Sequence, residues 1–219
     1  MLPKNFVSSY LPFAQEAQAA TRISALAILA QAALESGWGD RAVGNMFFGI
    51  KDTDKGKTGK GQLLVTTEYL KTPNQRNLFP EVISVTWNER RNRWKYVVKD
   101  WFRKYDTPAG SFKDHAQFFI LNPRYAVAMA NASDPIRFLQ EVAKAGYATA
   151  PDYAKVLTQL VKMIQRNLPS DLESFGIPGA VDLFEMPSEE DLWDYMGHQL
   201  LATGDGVEQE TPSGAENRE

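Results

Sequence analysis

The chain has no cysteine, so disulfides and thiolate metal sites are excluded, and nothing is implied about redox compartment. Histidine occurs only at 115 and 198, too few and too distant to suggest a metal centre. No metal and no cofactor is expected. Phosphate-cradling glycine loops, dinucleotide fingerprints and zinc spacings are also missing. Long apolar runs are scarce: the best, Ile23 to Leu34, is too short to span a bilayer and stops at the charge of Glu35. It begins after acidic Glu16 and lacks a basic leader, so it does not read as a secretory signal. Membrane insertion is therefore not expected.

Charge is present in both signs but unevenly placed. The formal net charge is -3, from 24 basic and 27 acidic residues. From Glu185 to the end there are ten acidic residues and one basic, Arg218, so residues 1–184 hold 23 basic and 17 acidic, a net of +6. A basic body suits an anionic polymer such as nucleic acid or cell wall. No dense basic helix appears, and no nucleic-acid partner is expected. The cluster Arg90-Arg91-Asn92-Arg93 falls in a predicted hairpin turn, where solvated cations are ordinary.

Periodicity divides the chain into helices, a small sheet and more helices. Residues 5–20 read as an amphipathic helix with Phe6, Tyr10, Phe13 and Ala17 on one face. Thr21 is placed to cap a second helix running to about Glu35. A loop of aromatics and glycine follows at 44–51, then a charged glycine-rich stretch to Gly61. Leu63 to Leu70 alternates with period two, and 82–87 and 94–103 are two further strands around a turn. Helical spacing returns near 110–121, 134–145 and 152–167. This order predicts an α+β domain over 1–168, with a helical lobe, a small antiparallel β-lobe and a cleft between them. A C-terminal extension over 169–201 contains a predicted helix at 189–201. Residues 202–219 are acidic and read as disordered, a tail suited to a protein partner.

The most informative segment is Ala33-Leu34-Glu35-Ser36-Gly37-Trp38-Gly39. An apolar helix ends in one carboxylate and is stopped by Gly-Trp-Gly. A helix-end Glu is ordinarily solvated. Here Ile28 and Ala32 on the preceding turn are apolar, and no Lys or Arg lies within four positions. Burial and the negative end of the helix dipole both disfavour the anion, so the carboxyl should keep its proton near neutral pH. That property suits a general acid at a glycosidic bond.

Together with Gly44-Asn45-Met46-Phe47-Phe48-Gly49-Ile50-Lys51, Thr67-Glu68-Tyr69, Phe102-Arg103-Lys104-Tyr105, Ser111-Phe112-Lys113-Asp114, and Gly146-Tyr147-Ala148-Thr149 with Asp152-Tyr153-Ala154, this segment resembles the glucosaminidase family of peptidoglycan hydrolases, glycoside hydrolase family 73. The resemblance covers residues 3–168. It departs at Ala150, where the family has Asp, and at a longer, more basic connection over 71–93. It implies a lysozyme-like fold and hydrolysis of the β-1,4 bond after N-acetylglucosamine in peptidoglycan glycan strands. It implies Glu35 as general acid, Glu68 as the β-lobe carboxylate, and Tyr147 beside the acid. Trp38, Asn45, Phe48, Tyr69 and Tyr153 are the expected substrate contacts, and Arg103 is expected to brace the β-lobe through a carboxylate. If Glu68 acts across a gap wide enough for water, it is a base and the reaction inverts. If the substrate's own acetamido group attacks, Tyr147 holds it.

Two other readings remain open on these residues: a muramidase or lytic transglycosylase with a single acid, and an inactive wall-binding or assembly module. Action in the periplasm or at the wall, as a monomer, is expected. With no leader read and a chain starting at Met1, delivery of a whole enzyme by phage lysis, a virion or secretion machinery is favoured over the alternative of a fragment of a longer exported protein.

Overall fold

The computed structural model describes residues 1–148 and 150–169. The helix expected over 189–201 and the acidic tail lie outside the described residues.

Among the described residues, six α-helices and three strands follow one another, helices before and after the sheet as expected. Helix α1, Pro3–Thr21, starts on a proline, whose missing N–H costs nothing there. It buries Phe6, Val7, Leu11, Ala14 and Ala17 at helical spacing. Helix α2, Ala25–Ser36, is buried on every side, with only Leu26 partly exposed. Small side chains let its neighbours pack closely, and α1, α5 (Pro135–Lys144) and α6 (Tyr153–Arg166) all pack against it. Each fully buried Ile28, Leu29 or Leu34 contributes about 1.5–3 kcal/mol of transfer free energy.

The expected cap at Thr21 is not formed. Thr21 ends α1, and its hydroxyl donates to the Ala17 carbonyl at 2.8 Å. The start of α2 is served instead by Gln18, whose Oε1 accepts from Ala25 N at 2.6 Å. Arg22, in the left-handed region at φ 68°, turns the chain between the two helices and brings these partners together.

Strands β1 (Gly61–Leu70), β2 (Glu81–Asn88) and β3 (Arg93–Arg103) form an antiparallel sheet in the order β1-β3-β2, with a register shift between Val82 and Ser84. The segment joining β1 to β2 crosses β3. Phe79 packs on Tyr96, and the Tyr96 hydroxyl donates to Thr72 O at 2.7 Å and accepts from Gln75 N at 3.1 Å. Phe79, Tyr96 and Val98 form a small core separate from that of the helices.

The lobes are tied by the loop after α2. Lys51 bridges Phe102, Arg103 N donates to Ile50 O at 2.8 Å, and Tyr105 N donates to Gly44 O at 2.8 Å. Arg103 grips both oxygens of Asp114 on α3 (Pro108–Leu121) at 2.8 and 2.7 Å, the expected bracing contact. A four-residue helix α4, Ala126–Met129, which periodicity did not suggest, links α3 to α5.

Candidate active site

Glu35 lies on the last turn of α2 and is 4% exposed. Gly37 ends the helix at φ 58°, in the left-handed region, and its N–H returns to the Ala33 and Leu34 carbonyls. Trp38 shares that conformation at φ 56°, donates N–H to Ala33 O at 2.8 Å, and packs edge-on against Phe6. The Ser36 hydroxyl donates to Ala32 O and accepts from Gly39 N at 2.8 Å. Each peptide of the turn is thus secured, and the acid is held at the end of a rigid element.

Burial holds the Glu35 carboxyl well above the usual carboxylate range, while a hydrogen bond with the Tyr147 side chain pulls the other way. Burial and the Glu35 carboxyl push the Tyr147 hydroxyl well up in turn. Tyr147 therefore keeps its proton and donates it to the carboxyl. It follows Gly146, whose φ of 76° turns the chain after α5.

Beneath this pair runs a buried polar chain. Gln31, one turn before Glu35 on the same helix, donates Nε2–H to the Tyr153 hydroxyl at 3.1 Å. Its carbonyl oxygen then faces His115 Nε2 at 3.1 Å and can only accept. His115 is therefore neutral with its proton on Nε2, and burial pushes its pKa down to about 3. Phe48 stacks on the imidazole with ring centres 3.8 Å apart. The rings of Tyr147 and Tyr153 stack at 5.8 Å.

Glu68 belongs to β1 and is 3% exposed. Lys51 Nζ lies 3.0 Å from its Oε1 and 2.8 Å from Asp100 Oδ2, over the face of Phe102. Burial raises the Glu68 pKa, the Lys51 charge and hydrogen bond lower it, and Asp100 raises it. The balance is about 7. Two carboxyls thus sit in opposed settings, one in an apolar helix end under a tyrosine hydroxyl, the other against an ammonium.

The expected substrate contacts divide. Phe48 and Tyr153 are core residues: they are buried, with His115 and Tyr147 stacked on their faces, and offer no platform for a sugar. Tyr69 points to the opposite face of the sheet from Glu68, since the two are consecutive in a strand, and it carries the Arg91 guanidinium 4.2 Å above its ring. Asn45 is half-buried at φ 55° and donates Nδ2–H to Tyr105 O at 2.9 Å. Trp38 walls the turn that follows the acid. Sequence reasoning passed over Lys51, Asp100, Gln31 and His115. Gln31 had a legible signal, an amide four residues before the acid in an otherwise apolar helix. Asp100 became visible only with the β1–β3 register. Among the described residues, no group of three or more His, Asp or Glu side chains is arranged to hold a metal ion, and no helix is long and apolar enough to cross a membrane.

A helical lobe and a small three-stranded lobe define a lysozyme-like fold, that of glycoside hydrolase domains. Residues 11–166 match the family described as mannosyl-glycoprotein endo-beta-N-acetylglucosaminidase, and the chain belongs to this glucosaminidase family. It is 34% identical over 167 residues to the peptidoglycan hydrolase FlgJ of Pseudomonas aeruginosa, covering 73% of this chain and 36% of the relative. The FlgJ of Vibrio parahaemolyticus is 32% identical over 169 residues, 74% of this chain and 48% of that one. The chain thus spans between a third and a half of these relatives. The glycoside hydrolase domain of Salmonella typhimurium FlgJ superposes with a TM-score of 0.54 at 28% identity, over 76% of this chain and 90% of that domain.

Proposed function

We propose that this protein hydrolyses peptidoglycan, cleaving the β-1,4 bond that follows N-acetylglucosamine, with Glu35 as general acid and Glu68 as general base. The observation that carries the reading is the pair of carboxyls with opposed environments. Glu35, kept protonated by its apolar surroundings, gives its proton to the leaving oxygen. Glu68, poised near neutrality by Lys51, takes a proton from water. Water then attacks the anomeric carbon from the face opposite the leaving group, and configuration inverts. Tyr147 is engaged by Glu35, which supports a role in holding and tuning the acid over one in holding the acetamido group. Peptidoglycan as substrate rests on the similarity to FlgJ proteins, and it sets the place of action in the periplasm or at the wall.

Mass spectrometry of digested sacculi tests bond choice: N-acetylglucosamine reducing ends support the reading. Muramic or anhydromuramic ends point to the muramidase or transglycosylase alternative, and intact sacculi to a binding module. NMR of the first-formed anomer tests inversion, and retention would rule out Glu68 as a water-activating base.

A further inference from the structure

We propose that the far end of the β2–β3 hairpin is a second glycan-docking site, which takes carboxylate-bearing N-acetylated sugar strands outside the cleft. The inference rests on the wall-glycan reading above. Leu70, Trp94 and Trp87 form one row across the three strands, with Trp94 paired to both. The next row on the same face is Glu68, Tyr96 and Val85. The indoles therefore extend the Glu68 face toward the turn by two residues, about 7 Å. Tyr96 is covered by the 72–75 segment and by Phe79, Trp94 packs half-buried against that cluster, and Trp87 is the indole that emerges beyond it. Trp87 is 46% exposed and meets Trp94 at 66°, with ring centres 5.4 Å apart.

The hairpin as a whole is basic. Residues 1–169 hold 23 basic and 14 acidic residues, a net of +9. Residues 71–99 hold seven basic and two acidic residues, a net of +5. Arg93, Lys95 and Lys99 alternate onto the opposite face with Tyr69, where Arg91 also lies, which leaves Lys71, Arg76 and Arg90 as the cations nearest the indole row. One of the two acids, Glu81, is taken by Lys99 at 2.8 Å. Lys71 directly follows the end of β1, and exposed Arg90 lies in the turn beyond the indoles. Arg91 is fixed by the Tyr69 ring and by its own N–H to Asn88 Oδ1 at 2.9 Å, while Asn92 closes the turn at φ 51°. The tip is thus shaped by its own bonds before any ligand arrives, which lowers the ordering cost of binding.

One ligand chemistry meets both features. The C–H face of an N-acetylated sugar packs on an indole. Lactyl and stem-peptide carboxylates accept from guanidinium and ammonium groups. An uncharged glycan would use only the indoles, and a nucleic acid would be held chiefly by the cations.

The test uses the full chain carrying Glu35→Gln, so that sacculi stay intact while binding is measured by cosedimentation. Trp87→Ala is expected to weaken binding to sacculi and to insoluble chitin by about tenfold, and Trp87→Tyr to retain most of it. Arg90→Glu is expected to weaken binding to sacculi at low salt, to lose that difference at high salt, and to leave chitin binding unchanged. Unchanged sacculus binding by Trp87→Ala overturns the proposal. So does duplex DNA binding as tightly as sacculi with equal losses in both variants, which would make the tip a polyanion patch. Were Trp87→Ala to unfold, Trp87→Tyr and Arg90→Glu would still decide the matter. Failure of the hydrolase reading is a separate result: the unsubstituted chain would release no fragments from sacculi.

Discussion

Replacing Glu68 with Gln perturbs both catalysis and stability, and each effect can be sized from its surroundings. The folded-state pKa is raised from 4.5 to about 7 because burial outweighs the Lys51 ion pair. A base must be ionised, so kcat/KM for the parent should rise with pH through about 7. At pH 5 roughly one molecule in a hundred has Glu68 ionised, and kcat/KM should fall to about a hundredth of its plateau. Gln at 68 keeps the shape but cannot accept the proton, and a loss of about 10²–10⁴ at the plateau is expected. The same residue governs stability. Because its pKa is raised on folding, its contribution is full below pH 4.5 and is lost as pH rises through 7. The loss amounts to about 3 kcal/mol, at 1.36 kcal/mol per unit. Urea unfolding between pH 4.5 and 8.5 should show a decline steeper in the parent than in Glu68→Gln by that amount, since the Glu35 share of the decline is common to both. A parent curve no steeper than the variant's, or a variant clearing sacculi at the parent rate with the same acid limb, would refute the assignment.

Glu35→Gln should reduce wall hydrolysis by about 10²–10⁴, measured by turbidity loss of sacculi. It should also make the fold more stable than the parent at alkaline pH, because the raised folded-state value makes the parent lose stability as pH rises through it. Tyr147→Phe removes a hydrogen bond that lowers the Glu35 pKa, so the alkaline limb of kcat/KM should move to higher pH; a limb that moves down or stays fixed contradicts the contact. Gln31→Leu strands the buried His115 Nε2–H and removes one hydrogen bond from the Tyr153 hydroxyl. It should cost about 1–3 kcal/mol for the group left unsatisfied, read as a lower midpoint in thermal unfolding.

Much of this molecule was readable along the chain. Period 3.6 and period 2 separate the helices from the strands because each element buries one face, and that demand is written locally. The stop at Gly37 was equally local, as only residues tolerant of positive φ end a helix that way. An apolar helix finishing in a solitary carboxylate marked Glu35 for the same reason: burial is predictable when Ile28, Ala32 and Leu34 around it are apolar and Gln31 is the one polar side chain on the preceding turn. What the chain alone could not decide depends on contacts between distant segments. Lys51 meets Glu68 and Asp100 only because strand register brings residues 17 and 49 positions away to one ammonium. Phe48 and Tyr153 read as sugar platforms by residue type, yet the packing of His115 and Tyr147 takes their faces into the core. Thr21 looked like a cap and was displaced by Gln18, because a left-handed turn at Arg22 put a different acceptor in reach. Local sequence sets which side chains are buried and which backbone turns are allowed. The tertiary fold sets which charges face one another, and that pairing tempers what burial does: Lys51 holds Glu68 to about 7, while Glu35, with a tyrosine hydroxyl for company, stays well above the usual carboxylate range.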